Sequence, residues 1–175
     1  MPPTALQPRF FAQPTIDVAR TLLGCSIQFG PHDGIITETE AYLPEGDRAA
    51  HAFRGRTPRT EVLFGPPGRA YVFLIYGIHH CLNVVCEPEG IPGCVLIRAV
   101  HGWGGGPGKL TRHAGITLAH NGTPLTILPP ADPPAQILVT PRIGIRHSRD
   151  LPLRFVLDPA IRYNGERSRA RSSAG

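Results

Sequence analysis

The sequence predicts a single strand-rich domain with two short helices, and three observations carry that expectation. The chain has 175 residues, 41% of them hydrophobic, which is enough for one domain with a core of its own. Its 20 glycines and 20 prolines punctuate it too often for long helices. Two stretches, 36–42 and 71–77, place side chains of one kind at every second position, the period of a strand.

Thr15 is expected to cap a helix over Ile16–Leu23, with Ile16, Ala19 and Leu23 near one face and Gly24 at its end. The next stretch, Ile36-Thr37-Glu38-Thr39-Glu40-Ala41-Tyr42, reads as a strand. Alternation puts Ile36, Glu38, Glu40 and Tyr42 on one surface and Thr37, Thr39 and Ala41 on the other. Two carboxylates and a phenol therefore share a face, with Asp47 and His51 close behind in the chain. A polar, basic loop at 54–60 and the turn Gly65-Pro66-Pro67-Gly68 lead to a second strand, Tyr71 to Gly77. Cys81 to Val85 is expected to return antiparallel to it, which makes Tyr76 a hairpin-tip residue and turns Asn83 away from Leu82 and Val84. Val95 to Val100 reads as a third, buried strand, and Pro107 to Ile116 as a short helix after a glycine-rich loop. Residues 129–134 form a proline-rich surface connection. The basic, serine-containing tail 167–175 is expected to be disordered, leaving 1–166 as the folded domain.

Several function classes are disfavoured. No run is long enough to span a bilayer, and the first nine residues lack the apolar core of a signal peptide, so the chain reads as cytoplasmic. Cys25, Cys81, Cys86 and Cys94 contain no C-x-x-C pair and read as reduced packing residues. His79, His80, Cys81 and Cys86 match no closed zinc spacing. The loop from Gly102 to Leu110 resembles a phosphate loop but has Trp103 where the first glycine belongs and Leu110 after its lysine. A formal charge of +5 suits a polyanionic partner. Arg98, inside an aliphatic strand, requires an acceptor, and Glu40 is the candidate. Carboxylates beside aromatic plates suggest a pocket for a flat, polar ring.

Taken in order, Glu38-Thr39-Glu40-Ala41-Tyr42, Asp47 to His51, Thr57-Pro58-Arg59, Pro67-Gly68, Tyr71 to Gly77, Asn83, Val95 to Ala99, Gly106 to Leu110, Arg142-Ile143-Gly144 and Leu153-Arg154-Phe155 resemble the alkyladenine (3-methyladenine) DNA glycosylases. The likeness runs from Arg9 to about Val156. It implies an α+β domain built on a curved antiparallel sheet, with flanking short helices and a protruding hairpin. It also implies a monomer that removes alkylated or deaminated purines (3-methyladenine, hypoxanthine, ethenoadenine) from double-stranded DNA near the nucleoid, with neither metal nor organic cofactor. Glu40 resembles the family's general base, and Arg98 and the Ile143 carbonyl the groups that position its water. Glu38, one strand step away, reads as a structural neighbour.

Tyr42 and His51 resemble the base-stacking residues, Phe73 the opposing plate where many relatives carry Tyr, and Leu96 a further pocket residue. Asn83 resembles the amide that crowds the exocyclic amine of guanine. Tyr76 resembles the intercalating wedge, and Arg56, Arg59, Tyr71, His79 or His80, and Lys109 the contacts to the phosphate backbone. No lysine falls at a recognised pocket position, so the expected enzyme is monofunctional. Two alternatives stay open from the residues alone: a non-catalytic DNA-binding relative and a small-molecule glycoside hydrolase.

Overall fold

The computed structural model describes residues 3–132, 134 and 136–158; the predicted tail 167–175 lies outside them. The expected α+β domain is present. Its helices are α1 (Pro8–Phe11), α2 (Thr15–Thr21) and α3 (Pro107–Ala114). Its strands are β1 (Ser26–Phe29), β2 (His32–Tyr42), β3 (Ala70–Ile75), β4 (His79–Cys86), β5 (Gly93–His101), β6 (Gly104–Gly105), β7 (Thr126–Leu128), β8 (Ile137–Thr140) and β9 (Arg154–Leu157). They form one antiparallel sheet in the order β3-β4-β5-β2-β1-β7, with β6 on β5 and β9 joining β2 to β8. Among the described residues, no helix is long and apolar enough to cross a membrane.

Alternation gives the sheet two different faces. Ala70 and Val72 of β3, Leu82, Val84 and Cys86 of β4, and Val95 and Ile97 of β5 join α1, α2 and α3 in the main core. Burying a side chain of this size contributes about 1.5–3 kcal/mol. The intervening Tyr71, Val85 and Cys94 point the other way, into a smaller cluster with Ala52 and Leu63 on which Tyr42 and Phe73 lean. That second face carries the candidate site.

Strand β2 departs from the expected alternation. Ile36 lies in the main core rather than beside Glu38, and the buried Thr39 and Ala41 follow it on that side. Between Ile36 and Thr39 the pairing with β5 is irregular: Ile36 pairs Val100, Glu38 pairs Ala99 and Thr39 pairs Ile97. Thr37 and Arg98 are passed over. The cause is a change of neighbour, because β2 pairs β1 through His32–Ile35 and β9 through Glu38–Glu40. A strand that exchanges partners must bend there, and bulges supply the bend.

Helix α2 also differs from the sequence reading. It starts at Thr15, preceded by Pro14, and Thr15 makes no side-chain cap. Instead the Thr15 amide and hydroxyl both donate to Glu87 Oε1, at 2.6 and 2.7 Å, so a distant carboxylate satisfies the helix start. Gly93 makes room for this contact, since a Cβ there would collide with Thr15 Oγ1. Val18, Ala19, Leu22 and Leu23 are buried while Ile16 is exposed, so Ile16 does not share the buried face with Ala19 and Leu23. Thr39 Oγ1 donates to Ala19 O at 2.8 Å and ties α2 to β2.

The β3–β4 hairpin forms as expected, with Ile75 opposite His79. Ile78 N donates to Ile75 O, and Tyr76 and Gly77 have φ of 54° and 69°. Two central residues with positive φ mark a type I′ turn, whose twist matches that of the flanking strands. Tyr76 is 90% exposed and Ile78 70%.

Candidate active site

The pocket face of the sheet brings Glu38, Glu40, Tyr42 and Arg98 together. Glu40 is fully enclosed. Its Oε2 accepts from Tyr42 OH at 2.9 Å, its Oε1 accepts from the Ile143 amide at 2.8 Å, and Arg98 Nη1 lies 3.5 Å from Oε1. Burial, aided by the Glu40 charge, pushes the Tyr42 hydroxyl well above its usual range, so it remains a donor to Glu40. Glu38 accepts from two arginines at Oε1: Arg98 Nε at 2.8 Å and Arg154 Nε at 2.6 Å. Arg154 in turn donates to Thr140 Oγ1 at 3.0 Å. Glu38 thus fixes Arg98 by its Nε.

Beside this cluster lies a cavity of about 500 Å³, lined among others by Tyr42, His51, Phe73, Asn83, Leu96, Arg98 and Ile143, with Tyr76 at its edge. A flat ring of purine size fits a space on this scale. His51 packs edge-on against Phe73, ring centres 4.4 Å apart, and its Nδ1 is 2.9 Å from the Tyr71 hydroxyl. Asn83 donates from Nδ2 to Tyr71 O at 3.0 Å, so its amide is held by backbone while it lines the cavity.

Two of the residues expected at the phosphate backbone, Tyr71 and Arg59, line the cavity. Tyr71 is 1% exposed and its hydroxyl is engaged with His51. Burial pushes its phenol up to about 12. Arg59 lines the cavity with its guanidinium 5.4 Å from the centre of the Phe73 ring. Arg56 is exposed, pairs with Glu61 at 2.8 Å and lies over Phe64. His79 and Lys109 are exposed, and Gly108 packs closely on the His79 ring. The structure also adds residues to the site that the strand pattern alone did not assign: Arg154, Thr140 and the buried pair Asp47 and Arg142. Arg154 had a legible signal, since an arginine between Leu153 and Phe155 poses the same demand for an acceptor as Arg98.

The His51 ring is desolvated by its neighbours although the residue as a whole stays open to solvent. That local burial, together with the Arg59 charge, lowers it to about 4. We expect its imidazole resonances to remain unchanged from pH 8 to 5 in an NMR titration. A midpoint near the unperturbed value of about 6.5 would show that water reaches the ring freely.

The site can be compared with known proteins. The family model for methylpurine-DNA glycosylase matches residues 9–105 and 101–160. The chain belongs to the methylpurine-DNA glycosylase family. A protein of Ehrlichia ruminantium (strain Welgevonden), named "Putative 3-methyladenine DNA glycosylase", is 46% identical over 166 residues, covering 87% of this chain and 88% of its own length. Relatives with the same name from Rhodopseudomonas palustris and Methanoculleus marisnigri are 46% and 43% identical, covering 85% of this chain each and 82% and 92% of their own lengths. Family membership and fold therefore agree with the order of motifs along the chain.

Proposed function

We propose that this methylpurine-DNA glycosylase family member is a monofunctional 3-methyladenine DNA glycosylase that rotates a damaged purine out of duplex DNA and hydrolyses its N-glycosidic bond. The observation that carries the reading is the Glu40–Arg98 cluster set against an aromatic-lined cavity with an exposed tyrosine at its edge. A stacked base cannot present C1′ to an enzyme, so it must leave the helix, and Tyr76 is shaped to fill the gap. The base then lies between Tyr42 and the Phe73 and His51 rings.

Bond cleavage builds oxocarbenium-like charge on the sugar. Each Glu40 oxygen accepts one hydrogen bond and keeps a lone pair. The carboxylate is fully enclosed and does not itself line the cavity, so the water reaches it only as the Tyr42 and Arg98 side chains around it shift on binding. Glu40 takes a proton from that water as its oxygen bonds to C1′, the purine departs with the glycosidic electron pair, and an abasic sugar remains. The negative carboxylate also offsets the developing cation. Arg98, held by Glu38, directs a guanidinium edge toward the same space. The chain's single lysine, Lys109, is exposed, and among the described residues no amine lines the cavity, which supports a monofunctional enzyme without a Schiff-base step. Arg56, His79 and Lys109 supply the phosphate contacts, which position the duplex without reading its sequence. On this reading the protein acts as a monomer in the cytoplasm, where chromosomal DNA is found.

Incubation with duplexes carrying one 3-methyladenine, hypoxanthine or ethenoadenine, followed by alkali, tests the proposal. Alkali-dependent nicking at the lesion is expected; salt-sensitive binding with no abasic product would mark a non-catalytic relative. Phe73 sets a finer expectation. It keeps the ring face that attracts a cationic purine but lacks the hydroxyl of a tyrosine. Phe73→Tyr should therefore raise excision of hypoxanthine or ethenoadenine relative to 3-methyladenine by a few-fold. Equal single-turnover ratios in the two proteins would mean that only the ring matters here.

A further inference from the structure

Three stretches of chain meet at the cavity: the Tyr42 end of β2, the loop leading to His51, and the segment carrying Ile143. One buried ion pair holds all three. Arg142 donates from Nη1 to Asp47 Oδ2 at 2.6 Å and from Nη2 to Asp47 Oδ1 at 2.8 Å, and both side chains are completely enclosed. Nη1 also donates to Ala41 O at 2.9 Å, next to Tyr42, and Nη2 to Ser148 O at 3.3 Å. The guanidinium lies over the Tyr42 ring, 4.6 Å from its centre. Asp47 uses its remaining acceptor capacity on the Leu43 amide at 3.0 Å and the Ala49 amide at 3.1 Å, and so shapes the turn that delivers His51. Burial pushes the Asp47 carboxyl up, but the Arg142 and backbone hydrogen bonds outweigh it and hold the group below its ordinary range.

Stability alone is a poor explanation for such a pair. Taking two charges out of water costs about as much as their attraction returns, and apolar residues of similar volume often serve as well or better. Here the cost is higher still, because Arg142 Nε has no acceptor among the described residues. An apolar pair could not reproduce the geometry. Arg142 precedes Ile143, whose amide donates to Glu40 at 2.8 Å, so anchoring the guanidinium aims that N–H at the carboxylate. The same anchor backs the Tyr42 ring, whose hydroxyl is the other donor to Glu40.

We infer that Arg142 and Asp47 are a positioning pair for base excision, coupling the stacking plate Tyr42 to the orientation of Glu40. This rests on the glycosylase reading above. Arg142→Lys keeps a positive charge but cannot span both Asp47 oxygens and the Ala41 carbonyl at once. Asp47→Asn keeps the shape and loses the charge. Each change should lower the single-turnover excision rate at saturating enzyme by about 10- to 100-fold, because a small displacement of reacting groups costs on that scale. The double variant should be hardly worse than the more impaired single one, since the two residues act as a unit.

A purely structural role predicts a different result. The melting temperature would fall while the excision rate of the folded protein, measured well below it, stayed at the wild-type value. That outcome overturns the inference, as does strict additivity of the two substitutions. If Arg142→Lys does not fold, Asp47→Asn alone decides; failure of both to fold would assign the pair to stability and reject the positioning role. The wild-type protein keeps the two readings apart. No excision by wild type refutes the glycosylase reading itself, whereas active wild type with unimpaired variants refutes only the pair.

Discussion

Replacing Glu40 with Gln should abolish most excision while leaving the fold and the capture of damaged DNA intact. The amide has the size and shape of the carboxylate, and its oxygen can still accept from one of the two groups that hold Glu40, Tyr42 OH and the Ile143 amide. What is lost is the negative charge and the capacity to take a proton from water. General-base catalysis typically contributes about 10²–10⁴-fold, and loss of the charge facing the sugar cation adds to that. Single-turnover excision of 3-methyladenine at saturating enzyme measures the effect directly. A rate within a few-fold of wild type would remove Glu40 from the mechanism. Glu38→Gln is a control with a different signature, because Glu38 accepts from both Arg98 and Arg154 and its loss would be felt largely as stability and as misplacement of Arg98.

Tyr76→Ser should weaken base extrusion in duplex DNA without altering the pocket. Stacking on an aromatic side chain is worth about 1–3 kcal/mol per base, so the flipped population should fall roughly tenfold to a hundredfold. Tyr76 touches nothing that the fold depends on: it is 90% exposed, and serine tolerates its positive φ no worse than tyrosine does. Fluorescence of ethenoadenine in a duplex reports flipping, and the melting temperature reports the fold. An unchanged fluorescence signal would mean that some other side chain fills the gap, and Ile78, also exposed at the tip, would be the next to test.

The placement of those two residues, Tyr76 at a hairpin tip and Glu40 on one face with Glu38 and Tyr42, is legible in the sequence for a common reason. Period-two alternation on either side of a short turn fixes both what lies at a hairpin tip and what faces a pocket, and β3 and β4 keep that period throughout. Where the period breaks, the reading breaks with it. Ile36 appeared to share a face with Glu40 because nothing in the residues themselves announces that β2 changes neighbours there. Thr15 looked like a helix cap because local rules favour it, yet a carboxylate 72 residues away satisfied the helix instead. Tyr71 is buried beside His51 while Arg59 stays exposed at the cavity, a difference that the polar tips of the two side chains do not reveal. The Asp47 and Arg142 pair, 95 residues apart, is a product of tertiary folding with no local signature.

The paired irregularity in β2 and β5 bears on which sequence changes the lineage can survive. Substitution at Thr37 alters one side chain, but loss of that residue shifts everything after it by one position relative to the β1–β2 hairpin. Ala41 would then occupy the reacting position, and the Glu40 carboxylate would turn into the apolar layer beneath α2. Insertion would reverse the same faces. Such changes cannot be compensated one residue at a time, since the opposing Arg98 is passed over in the matching stretch of β5. The lengths of these two strands should therefore change only together, and variation in chain length among relatives should collect in the connections outside them, where an added residue moves no side chain from one face of the sheet to the other.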